Sequence, residues 1–273
     1  MEVLLENPPA SSQWRYTLLG SLEKPSAPRV CSTEALVRLV QTVRPNAAPA
    51  TVRAAIDGLV AARALLKVSR GLYLNRRARP TVELAEAAGH IRQGALVSLE
   101  SVLGECGFLN NPAAITTAVL PFRANHVPNV GMVKTSGGQV FRFSALPQRL
   151  FPLTDADERS MLQAGRFFPV VKPEVATLHW LYLALSPHSP MREAPQDVDF
   201  SVLDLDLLKD LAWRWDLARP LQEWMQRVEL TGDIQEPSEL VHRTPQAAEE
   251  SRNRAVGAKE RLLARRRIKT PSA

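Results

Sequence analysis

Apolar positions recur at helical spacing through the first sixty residues. Leu18, Leu19 and Leu22 follow Trp14 and predict a helix over 14–22, stopped by Pro25 and Pro28. Leu36, Leu39, Val40 and Val43 form an i, i+3, i+4, i+7 set. That second helix begins at Ser32 or Thr33, where a hydroxyl accepts a backbone N–H, and Glu34 suits the positive end of the helix dipole. Pro45 and Asn46 end it. A third helix starts at Pro49, a residue tolerated in a first turn, with Val52, Ala55, Ile56, Leu59 and Val60 inward. The period then changes to two. Leu66 and Val68, then Leu72 and Leu74, alternate around Ser69-Arg70-Gly71, a turn in which Gly71 takes positive φ. Two short helices joined by a tight turn and followed by a hairpin match a winged helix-turn-helix.

Beyond the hairpin the pattern mixes helices and strands. A helix is expected over 82–92, with Leu84, Ala88 and Ile91 inward. Ser98 is a natural N-cap for a short helix burying Leu99, Val102, Leu103 and Cys106, and Gly107 a natural terminator. Strands are expected over 115–122, 130–135 and 139–144. The last two flank Ser136-Gly137-Gly138, a hairpin signal, and Phe141 and Phe143 share an inward face. Helices follow over 172–185, 203–215 and 220–228. Their tryptophans, Trp180, Trp213, Trp215 and Trp224, read as packing between helices. The predicted class is α+β: a winged helix-turn-helix over 1–80, a mixed α/β domain over 81–240 and a basic tail over 241–273.

Charge sharpens that division. The chain has 273 residues and a net charge of +6. Residues 1–80 hold 12 Lys/Arg against 5 Asp/Glu, residues 81–248 hold 14 against 20, and residues 249–273 hold 8 against 3. A basic head, an acidic body and a basic tail follow. Basic segments favour nucleic acid, because each phosphate contact releases condensed counterions. The exposed face of the third helix is small rather than basic: Ala50, Ala54, Asp57, Gly58 and Ala61. Small side chains permit close approach to a groove, and Ala or Thr methyls touch a thymine methyl. Base contacts are therefore expected from Asn46, Thr51 and Arg53, and phosphate contacts from Lys67, Arg70, Arg76 and Arg77 on and after the wing. A module of this kind used only for protein contacts is the alternative. The tail reads as a DNA clamp, a latch onto the acidic body or a solvated segment.

The run Arg70-Gly71-Leu72-Tyr73 in the wing, then a helix, then Val97-Ser98-Leu99-Glu100-Ser101-Val102-Leu103 with Gly107 after it, resembles AbiEi-type antitoxins. These are regulators of type IV toxin–antitoxin systems, and the resemblance spans about residues 32–122. It implies an N-terminal winged helix that binds double-stranded promoter DNA and represses its own operon. It also implies a C-terminal antitoxin domain that counters a nucleotidyltransferase-like toxin, usually without a stable complex. Arg70, Gly71 and Tyr73 match the wing; Ser98, Glu100, Ser101 and Gly107 match the motif opening the antitoxin domain, a fold signature rather than a catalytic one. The Pro- and Asp-rich stretch 186–199 has no counterpart in the pattern. A winged-helix regulator with a sensing or interaction body and no toxin is the other reading.

Signals for catalysis are weak. The histidines lack metal-ligand spacing to one another or to Cys31 and Cys106, and two cysteines make no disulfide framework. No phosphate-cradling glycine loop occurs. Asp204 and Asp206 have the spacing of a magnesium pair but read better as acids at a helix start. Ser98 with a distant histidine lacks a nucleophile-elbow sequence. The expectation is a non-enzyme without cofactor or metal, cytoplasmic and away from membranes, possible as a homodimer on DNA.

Overall fold

A computed structural model of the chain describes residues 10–110, 114–123, 128–187, 189, 194–195 and 198–232. The chain divides into two units, Met1–Leu230 and Thr231–Ala273. The second holds, among described residues, only the last two of a helix, so the basic tail lies outside the described residues. The first unit is mixed α+β.

Its N-terminal part runs α1 (Ala10–Glu23), β1 (Val30–Ser32), α2 (Thr33–Val43), α3 (Pro49–Ala61), β2 (Leu65–Ser69) and β3 (Leu72–Asn75). Ser32 is the cap of α2, its Oγ accepting from Ala35 N at 3.1 Å. Pro49 opens α3. The strands form an antiparallel sheet in the order β1-β3-β2. Because side chains alternate across a strand, this sheet has two apolar faces. Cys31, Leu65 and Tyr73 pack with Leu18, Leu36, Val40, Ile56 and Leu59 in a core beneath the helices. Val68 and Leu74, with Val30, Leu66 and Leu72 alongside, pack instead into the larger core of the body. The sheet is thus a wall shared by two cores. This is why 65–74 is apolar in both parities, as strands covered on both faces are.

The body begins with a 3-10 turn (Leu84–Ala87) and α4 (Ala88–Ile91), then β4 (Leu96–Val97), α5 (Glu100–Glu105), β5 (Thr116–Phe122), β6 (Gly131–Lys134) and β7 (Val140–Pro147). Its sheet has the order β4-β5-β7-β6. β5 and β7 are parallel, with Thr116 opposite Phe141; the other pairs are antiparallel. The helices α6 (Asp155–Met161), α7 (Pro173–Leu185), α8 (Leu205–Arg214) and α9 (Ala218–Gly232) follow. α7 is apolar around most of its circumference and correspondingly buried from Glu174 through His179. The predicted pair Phe141 and Phe143 does face inward, with ring centroids 6.2 Å apart.

Three local expectations differ. The single helix over 82–92 is a 3-10 turn followed by one α turn. Glu86 folds back to accept from Glu83 N at 2.8 Å, and its carboxylate is claimed by Arg29. Ser98 does not cap α5, because its hydroxyl is taken by His179. Thr117 Oγ1, reaching over from β5, accepts from Ser101 N at 2.9 Å instead. Trp215 and Trp224 are buried, whereas Trp213 is 79% exposed: it falls on the outer face of α8, opposite Leu208 and Leu211.

Polar side chains add to the shared wall in joining head and body. Arg29 grips Glu86 through both carboxylate oxygens, Nε to Oε2 at 2.8 Å and Nη2 to Oε1 at 2.6 Å. Ser136, in the β6–β7 turn, donates from its N–H to Val68 O at 3.3 Å and from its hydroxyl to Lys67 O at 3.1 Å.

Candidate nucleic-acid interface

The outward face of α3 carries Ala50, Arg53, Ala54, Asp57, Gly58 and Ala61, all exposed, while Val52, Ala55, Ile56 and Leu59 anchor the opposite face. With residues 100° apart around the axis, Asp57 and Ala61 lie near the middle of the open face and Arg53 on its flank. A groove of about 440 Å³ separates α2 and α3 from the β2–β3 hairpin. Arg53, Asp57, Lys67 and Tyr73 are among its lining residues. Lys67 reaches it because it pairs with Tyr73 across the hairpin and so shares the helix-facing side of the sheet.

The hairpin turn is docked rather than free-standing. Gly71 sits at φ +78°, where a side chain is strained, and a carbon built there would come 3.4 Å from Thr33 Oγ1. Thr33 N donates to Gly71 O at 2.9 Å. Tyr73 is buried in the head core. Gly71 and Tyr73 therefore set the hairpin against the first turn of α2 and leave Arg70 exposed at its tip.

The expected DNA contacts fall into two groups. Arg53 and Lys67 share the groove, Arg70 stands at the tip of the same hairpin, and Asn46 is exposed and Thr51 half-buried around the start of α3. None of Arg53, Lys67, Arg70 and Arg76 has an ion pair among the described residues. Arg76 and Arg77 lie past the far end of β3, a strand length from Arg70. Arg77 is paired there with Glu23 at the end of α1, so its charge is already answered. The structure does not bring these two to the hairpin tip. The reason is register: the turn sits at 69–72, and each later residue moves away from it.

The second motif has a different character. Ser98 and His179 are both wholly buried. His179 Nε2 lies 2.9 Å from Leu150 O, an acceptor, so the ring donates there and its Nδ1 accepts from Ser98 Oγ at 2.9 Å. Trp215 stacks on the ring at 5.8 Å. Burial pushes the His179 pKa down to about 4, so the imidazole is neutral. Ser98 O accepts from Thr117 Oγ1 at 2.5 Å, and Thr117 N donates to Ser101 Oγ at 2.7 Å. Leu99 turns the chain from β4 into α5 at φ +60°, a costly conformation held by complete burial of its side chain. Glu100 pairs with Arg142. Gly107, at φ +79°, ends α5. Ser98 and His179 thus form a closed structural knot, not an open nucleophile and base. In the sequence, the apolar setting Val175–Leu181 is the one signal that sets His179 apart from the other four histidines.

Asp204 caps α8, accepting from Asp206 N and Leu207 N through one oxygen. Among the described residues no cluster of His, Cys, Asp and Glu has the arrangement of a metal site, and no helix is long and apolar enough to cross a membrane.

No family model and no curated protein matches the chain. Among solved structures, the crystal structure of the RV2827C protein from Mycobacterium tuberculosis is similar over 84% of this chain and 83% of that one, at 13% identity and a TM-score of 0.46. A likeness of that size leaves the function to this chain's own geometry.

Proposed function

We propose that residues 1–80 act as a winged helix-turn-helix that binds double-stranded DNA, and that the chain is an AbiEi-type autorepressor and antitoxin. The observation that carries the DNA reading is the α3–hairpin face. A helix surface of small side chains, with Asp57 its one acid, lies beside a groove flanked by Arg53 and Lys67, with Arg70 at the hairpin tip. These three cations lack internal partners among the described residues. Small residues let a helix enter the major groove, and unpaired cations are free to replace counterions on phosphate. The antitoxin role rests on the sequence resemblance alone.

The test is binding of the full chain to the duplex upstream of its own gene and to random duplex across a salt series. The expected result is tighter binding to the upstream duplex, with a steep salt dependence on both. Binding that ignores salt would overturn the DNA reading. Co-expression with a nucleotidyltransferase encoded beside the gene tests the antitoxin role, which fails if growth is not restored.

One observation favours keeping the second reading, a regulator whose body senses a ligand. A cleft of about 520 Å³ opens where head meets body, with Arg29, Glu86, His90 and Phe167 among its lining residues. The Arg29 guanidinium stacks 3.9 Å from the Phe167 ring there. DNA binding without toxin neutralisation would select this reading.

A further inference from the structure

The body is acidic as a whole, yet its carboxylates are unevenly placed. Residues 106–154 hold four cations, Arg123, Lys134, Arg142 and Arg149, and no Asp or Glu. Residues 155–248 hold 16 Asp/Glu against 9 Lys/Arg. The repulsion of a polyanion therefore belongs to the helical half of the body and not to its β5–β7 half.

Three of the four cations are engaged. Arg123 Nε donates to Gln148 Oε1 at 2.9 Å. Arg142 is paired with Glu100. Arg149 lies 5.9 Å over the Tyr182 ring. Lys134 is exposed and has no ion pair among the described residues.

The fold sets this one cation beside the head. Lys134 ends β6, opposite Val140 at the start of β7. The turn that follows crosses to the β2–β3 hairpin, where Ser136 bonds the carbonyls of Lys67 and Val68. Ser136 follows Lys134 by two positions, with Thr135 between them, so the Lys134 Cα lies within about 13 Å of the Lys67 carbonyl. The turn itself is Gly137-Gly138, both exposed. Gly138 has φ +84° and open space where a side chain would stand. A phosphate meets no side-chain barrier at Gly138, whose own N–H is bonded to Thr135 O at 3.1 Å, so the turn offers close approach and Lys134 the charge.

We propose that the β6–β7 hairpin is a second contact with the DNA backbone beside the β2–β3 hairpin, with Lys134 as its cation and the glycine turn as its point of close approach. This rests on the DNA-binding reading above and extends it: the interface crosses from head to body, and the Ser136 bonds hold the two hairpins in one alignment. Both contacts are made to phosphate, so they add affinity without sequence preference.

The test uses the full chain and fluorescence anisotropy on the upstream duplex and on a random duplex of equal length, from about 50 to about 200 mM salt. Lys134→Ala lowers the slope of log affinity against log salt by about one, equally on both duplexes. Lys134→Glu weakens low-salt binding further. Lys209→Ala, which removes an exposed cation from α8 in the acidic half, leaves the slope unchanged. If Lys67→Ala lowers the slope while Lys134→Ala does not, the second contact is overturned and the head interface stands. If Lys209→Ala and Lys134→Ala act alike, the effect is one of net charge and the second contact is again overturned. If the unmodified chain binds neither duplex, the DNA-binding reading fails, and this inference with it.

Discussion

The head and the body use polar side chains in opposite ways. On the α3–hairpin face, Arg53, Lys67 and Arg70 stand exposed over a small core with no internal partner among the described residues. In the body, Ser98, Thr117 and His179 are wholly buried and bonded to one another or to backbone. Polar groups that satisfy each other inside a core specify packing and offer nothing to a ligand. Cations left in water cost little and remain available to a partner. The proposed partner face uses the first kind of group, the Ser98–His179 knot the second. The contrast explains why a serine–histidine pair, suggestive on paper, is a structural device here.

The largest effect is expected where the two regions are joined. Glu86 is buried and both its oxygens are committed to Arg29. Glu86→Ala leaves Arg29 without its carboxylate partner and should cost about 4 kcal/mol. Urea unfolding measures it. A loss below about 1 kcal/mol, the range of surface pairs, would mean that the ion pair adds little and that the shared core alone joins the two regions.

Next comes the buried histidine. The folded ring stays neutral down to about pH 4, whereas an unburied histidine takes up its proton near 6.5. Between those values the unfolded chain binds the additional proton, so stability rises with pH across the window and falls as pH drops from 6.5 towards 4. The loss amounts to about 3 kcal/mol over the window. His179→Gln should be less stable at neutral pH and should lose this dependence. An unchanged pH profile in His179→Gln would show that the ring is not the titrating group.

Gly71→Ala should cost about 1 kcal/mol, because its φ of +78° suits glycine and strains a residue with a side chain. The docked hairpin should also bind DNA less well. Equal stability would mean that the turn relaxes without cost. The smallest effect on stability belongs to the triple replacement of Arg53, Lys67 and Arg70 by Ala. Exposed cations without partners should change stability by less than about 0.5 kcal/mol. The same variant should lose about two units of salt slope in DNA binding, one each for Lys67 and Arg70. A marked loss of stability would show that these side chains serve the fold, and the contrast between head and body would dissolve.

Local features were readable from the chain. Ser32 at the start of α2, Pro49 at the start of α3, the turn at Gly71, the end of α5 at Gly107 and the Asp204 cap all lie where short-range rules put them. Each depends on residues a few positions apart, and such interactions survive any tertiary arrangement. The hydrophobic stripes of α2 and α3 were equally legible, since their period is set by the helix itself.

Long-range partners were decided only by the tertiary structure. Alternation along 65–74 marks two apolar faces but not which core each one meets, and the fold gave one face to the helices and the other to the body. The pairing of β5 with β7 skips β6, and no spacing rule reports a parallel pair across such a connection. Ser98 looked like a cap because its local sequence permits one. His179, 81 residues away, took the hydroxyl, and Thr117 supplied the cap instead. Arg77 is set beside Glu23 across the head, a pairing 54 residues apart that its local sequence does not announce. The physical reason is common to all four. A side chain's own sequence sets what it is able to bond, but the partner it bonds is whichever group the folded chain brings within about 3 Å.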